Sequence, residues 1–84
     1  MQLEFSYTEQ RYSMKKKFPI ANKVREYRVS KGVMTQSELG ALVFVTRQTV
    51  AAIEQGRYSP SLETAFRIAR VFDTGLEDIF SWDE

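Results

Sequence analysis

The chain has 84 residues, a net charge of +1, no cysteine and no histidine. That length builds one small domain, and the two absent residue types exclude disulfides and thiolate metal sites and remove the commonest general base. No apolar run approaches the ~20 residues of a membrane span, and Glu4, Glu9 and Arg11 interrupt any leader-like stretch, so a cytoplasmic protein without membrane attachment is expected.

Residues 1–18 stand apart as an N-terminal tail, and 19–84 form the expected domain. In the tail, Leu3, Phe5 and Tyr7 alternate with polar residues, a pattern that suits an added edge strand; a disordered terminus is the plainer expectation for residues 1–13. Met14-Lys15-Lys16-Lys17 also reads as an alternative translation start. Helix one is expected over Ile20–Ser30, with Ile20, Val24 and Tyr27 as its apolar stripe, Pro19 at its start and Gly32 at its end. Helix two follows Thr35, which forms a capping box with Glu38 and leaves Leu39, Gly40 and Val43 on one face. Thr46 offers the N-cap of helix three, which runs to Gln55 with Val50 and Ile53 turned inward. Helix four follows Ser59-Pro60, with Ser61 as cap and Leu62, Ala65, Ile68, Ala69 and Phe72 buried. Thr74-Gly75-Leu76-Glu77 repeats the capping pattern before a short helix five whose Leu76, Ile79 and Phe80 face the core. No β pattern is expected after residue 19, so the fold class is all-α.

Helix three carries the most informative chemistry. Arg47, Gln48 and Thr49 head it on the outward side, with Ala52 one turn later. An arginine can hold a guanine edge, and a glutamine an adenine edge, by two hydrogen bonds each. Small Ala51 and Ala52 permit close approach to a groove, although their helix propensity alone explains them. Arg57, Tyr58 and Ser59 in the following loop suit phosphate contacts, which position a protein without reading sequence. Charge is distributed in the same sense. Eleven of the twelve basic residues lie between Lys15 and Arg70 against four acids, whereas Asp73, Glu77, Asp78, Asp83 and Glu84 follow with no base. A basic body with an acidic end fits a polyanion-binding face turned one way, with ordinary helix-dipole decoration as the alternative.

The order of these residues resembles the helix-turn-helix of the lambda-repressor-like (Cro/phage repressor, XRE) family. That family shows Thr-Gln-x-x-Leu-Ala and then Ser-Arg-x-x-Ile-x-x-x-Glu-x-Gly. The matching positions are Thr35, Gln36, Leu39, Thr46, Arg47, Val50, Glu54 and Gly56. The resemblance spans Ile20 to Phe80 and implies a compact five-helix DNA-binding domain with its helix-turn-helix at helices two and three. It further implies that Gln36 contacts a phosphate and braces the first recognition side chain, and that Arg28 on helix one pairs with Glu54 on helix three. Three positions depart from the pattern. Phe44 stands where the family has the turn glycine, the Gly32–Thr35 loop is one residue longer, and Gly40 replaces the usual alanine at an expected cost of ~1 kcal/mol. Leu42 and Phe44 also occupy commonly polar positions, which would leave an apolar patch beside the motif.

These features lead to a sequence-specific, DNA-binding transcriptional regulator that places Thr46–Gln55 in the major groove. The expected partner is double-stranded DNA, contacted by Gln36, Thr46, Arg47, Gln48, Thr49, Ala52, Arg57, Tyr58 and Ser59. A homodimer on an inverted repeat is expected, joined at the C-terminal end around Leu76, Ile79, Phe80 and Trp82. The alternative is a protein-interaction module, such as the DNA-binding antitoxin of a toxin–antitoxin pair. No nucleophile–base pair, metal site or cofactor is expected, and there is no room for a small-molecule effector domain.

Overall fold

The computed structural model describes residues 19–83, so the expectations for the N-terminal tail lie outside the described residues. Five helices lie between two short strands: β1 (Ile20–Asn22), α1 (Val24–Tyr27), α2 (Gln36–Val43), α3 (Arg47–Glu54), α4 (Leu62–Val71), α5 (Leu76–Ile79) and β2 (Phe80–Trp82). The last turn of the first helix widens into a π-helical segment, Arg28–Gly32.

Local chemistry sets most helix starts. Thr35 accepts from the Glu38 amide at 3.0 Å while Glu38 Oε1 accepts from the Thr35 amide at 2.8 Å, a complete capping box. Thr46 Oγ1 accepts from the Thr49 amide, and Ser61 Oγ from the Thr64 amide, each at 3.1 Å. At α5 the expected pattern is displaced by one residue. Gly75 is the N-cap and has no side chain, so Asp78 rather than Glu77 closes the turn, accepting from the Gly75 amide and the Thr74 hydroxyl at 3.0 Å each.

The core joins every helix. Val24, Leu39, Val43, Val50, Ile53, Ile68, Ala69, Phe72 and Ile79 form one buried cluster. On α4 the buried positions recur at helical spacing, from Ala65 through Ile68 and Ala69 to Phe72. Leu62, expected on the same stripe, is instead 68% exposed. It is the first residue of α4, one turn beyond the covered part of the stripe, and it lines an open apolar groove with Ile20, Pro60, Ala65, Leu76 and Phe80.

The start of helix one is also corrected. Ile20, Ala21 and Asn22 are not helical but pair antiparallel with Trp82, Ser81 and Phe80 respectively. The Lys23 amide donates to the Ile79 carbonyl at 2.8 Å, and the Asp83 amide donates to the Pro19 carbonyl. Three-residue strands carry too little alternation to show a period of two, so the segments before α1 and after α5 find each other through a contact that no local pattern announces. The helix-one terminus departs as well. The Val33 and Met34 amides both reach back to the Arg28 carbonyl, so the wider turn takes up the extra loop residue and Val33 takes a left-handed φ of 47°.

Candidate nucleic-acid interface

Packing against the core settles which face of α3 remains available. Val50 and Ile53 are buried, which turns Arg47 and Gln48 into solvent, while Thr49 is half-buried and its hydroxyl accepts from the Thr46 hydroxyl at 3.0 Å. Thr46 caps the helix, its oxygen accepting from the Thr49 amide, and its exposed hydroxyl also lies within hydrogen-bond distance of the Thr49 hydroxyl. Ala51 and Ala52 are half-buried. Arg47 and Gln48 therefore stand on the first turn of a capped helix, with the positive end of its dipole beneath them.

The turn between α2 and α3 is tight. Phe44 adopts φ 65°, ψ 38°, a left-handed conformation at the position where the family pattern has glycine, and the residue is 73% exposed. The Arg67 guanidinium from α4 stacks over that ring at 4.7 Å from its centroid, an attraction that offsets part of the backbone strain. Leu42 is exposed too, as expected. A Cβ built on Gly40 would lie 2.7 Å from the Val45 carbonyl oxygen, so the glycine that looked like a defect in α2 makes room for the turn.

Gln36 lies at the opposite end of the motif. Its carboxamide nitrogen donates to Glu54 Oε1 at 3.0 Å, so the start of α2 is tied to the last residue of α3, far along that helix from Arg47. Glu54 also receives Arg28 through two bonds, Nε to Oε2 at 2.7 Å and Nη2 to Oε1 at 3.1 Å. Arg28 Nη1 donates to the Met34 carbonyl at 2.8 Å. The two charged side chains retain only 11% and 4% of their exposure. The hydrogen bond that Arg28 donates to Glu54, with the charge of that carboxylate, holds the guanidinium pKa above its ordinary value against the opposing effect of burial. Removing one partner of such a pair strands a buried charge at a cost of ~3–5 kcal/mol.

After α3, Gly56 takes φ 74° and reverses the chain. Arg57 and Tyr58 are exposed and Ser59 half-buried; Arg57 Nε donates to Gln55 Oε1 at 2.7 Å, which keeps its guanidinium beside the end of α3. Sequence reading missed Asn22. Its Nδ2 donates to the Ile53 carbonyl at 2.9 Å and its Oδ1 accepts from the Val24 amide at 3.0 Å, joining β1 to α1 and to the end of α3. An asparagine just before a helix was the available signal; its partner on Ile53 was not.

Among the described residues no group of His, Asp, Glu or Cys side chains is placed to hold a metal ion, and no helix is long and apolar enough to cross a membrane. A helix-turn-helix family profile matches residues 24–79. The chain is similar to an uncharacterized HTH-type transcriptional regulator of Archaeoglobus fulgidus, 47% identical over 62 residues that make up 74% of this chain and 87% of that one. It is 55% identical over 62 residues to one from Methanothermobacter thermautotrophicus, covering 73% and 88% of the two chains. It is 51% identical over 63 residues to the uncharacterized HTH-type transcriptional regulator YgzD of Bacillus subtilis, covering 75% and 94%.

Proposed function

The chain belongs to the helix-turn-helix family that includes the XRE regulators, and from that premise we propose that it is a sequence-specific DNA-binding regulator of transcription. The observation that carries this reading is the exposed pair Arg47 and Gln48 on the capped first turn of α3, over a core that leaves α3 no freedom to turn them inward. In the major groove, Arg47 would hold guanine O6 and N7, and Gln48 adenine N6 and N7. Arg57, Tyr58 and Ser59 would follow the phosphates beside the end of α3.

The protein would act as a homodimer on an inverted repeat, with the recognition helices one DNA turn apart. Ile79 takes no part in that association, being 1% exposed within one chain. The surface that supports a dimer is the apolar groove of about 270 Å³ lined by Ile20, Pro60, Leu62, Ala65, Leu76 and Phe80. A second reading, a protein-interaction module, is favoured by the exposed Leu42 and Phe44 beside the motif.

Selection from random duplex DNA, with Arg47→Ala run in parallel, tests the proposal. An enriched inverted repeat that loses its bias in the variant is the expected result. Binding with no enriched sequence would overturn it and leave the interaction module.

A further inference from the structure

We propose that Glu54 is a positioning residue for DNA binding, acting through Gln36; the inference rests on the DNA-binding reading and adds to it the group that aims the α2 contact. A carboxamide has two faces, one carrying two N–H donors and one an acceptor oxygen. A carboxylate only accepts, so a glutamine held by Glu54 turns its nitrogen toward it. The 3.0 Å bond from Gln36 Nε2 to Glu54 Oε1 therefore fixes which end of the carboxamide is which. One N–H is used on Glu54, and the second remains to donate to a phosphate oxygen at the start of α2. Glu54 cannot move to follow another partner, because Arg28 grips both of its oxygens and is itself held by the Met34 carbonyl. Without that acceptor the half-buried Gln36 side chain is free to rotate, and an outward carbonyl faces phosphate oxygens of like sign. The buried pair thus orders a contact that it never touches.

The test compares three variants with the wild type: Gln36→Ala, the paired Arg28→Met/Glu54→Met, and all three substitutions together. The paired change leaves net charge unaltered and replaces a buried ion pair by apolar side chains of similar volume, an exchange that proteins often tolerate. Affinity for random-sequence and for selected duplexes is measured on each folded variant. Gln36→Ala should weaken both about tenfold without altering the salt slope, since a neutral amide releases no counterion. The paired variant should weaken them equally, and adding Gln36→Ala to it should change nothing further. Equal losses from Gln36→Ala in both backgrounds, or wild-type affinity in the folded paired variant, would overturn the inference while leaving DNA binding intact. A wild-type chain that binds no duplex overturns both. Should the paired variant not fold, the Gln36 side-chain amide protons of the wild type decide by NMR. Slowed exchange of one proton supports the bond to Glu54, and bulk-like exchange of both overturns it.

Discussion

Among the described residues three carry a left-handed backbone without being glycine: Val33, Phe44 and Asp73. Val33 is the most costly, being β-branched, and at 81% exposure its side chain returns little packing. Val33→Gly should raise stability in urea unfolding by roughly 0.5–1 kcal/mol, the strain relieved exceeding the added chain entropy; unchanged or lower stability would show that Val33 is not strained. Gly40 predicts the opposite sign from helix propensity. Gly40→Ala should destabilise by about 1–3 kcal/mol, because the new methyl meets the Val45 carbonyl at 2.7 Å and backbone must shift to admit it. A gain from this substitution in thermal unfolding would mean that the turn relaxes easily. Phe44 is a mixed case, its strain being opposed by the stacked Arg67.

At the scale of elements, the helix-turn-helix is held at both ends by different devices. The Thr46 cap and the tight turn fix the start of α3. Its end is fixed by Glu54 to Arg28 and Gln36 and by the Ile53 carbonyl to Asn22. Asn22→Ala should therefore lower stability by about 1–3 kcal/mol, since it removes the side-chain acceptor of the Val24 amide and one of the donors to the Ile53 carbonyl, which keeps the Gly56 amide. Amide exchange is the sharper readout: protection should fall in α1 and in the last turn of α3 together. Loss confined to α1 would separate the sheet from α3. The strands themselves are three residues each and depend on the helices they join.

For the whole molecule, a net charge of +1 is too small to draw in a polyanion by itself, so under the proposed reading the placement of cations would carry DNA binding. Arg57 and Arg47 should separate cleanly on that basis. Arg57→Ala should weaken binding to every duplex alike and make the plot of log affinity against log salt shallower by about 0.9, the loss of one neutralised phosphate. Arg47→Ala should instead relax preference at one base position, worth ~1–3 kcal/mol. Salt titrations on selected and random duplexes check both, and an Arg57 variant with altered sequence preference would move that residue from the backbone to the bases. The dimer proposal belongs to this scale too. Leu62→Glu, at the exposed rim of the groove, should leave sedimentation of the free protein monomeric if that groove joins the copies.

Much of this protein is set by short-range chemistry and was legible in its residues. The caps at Thr35, Thr46 and Ser61 act within three residues, and the buried stripes of α2, α3 and α4 follow from helical period. The same patterns place Arg47 and Gln48 outward, and the family resemblance anticipated the Arg28–Glu54 pair and marked Phe44 as the residue in the glycine position of the turn. Contacts between distant segments were decided only by the tertiary structure. Ile20–Asn22 is a strand because Phe80–Trp82 lies beside it, Gly40 is required because the Val45 carbonyl folds back onto it, and Gln36 is oriented because Glu54 arrives from another helix. A period or a cap depends on neighbours along the chain, which the sequence supplies in order. These other features depend on which groups meet across the core, and that follows only when all the helices pack at once.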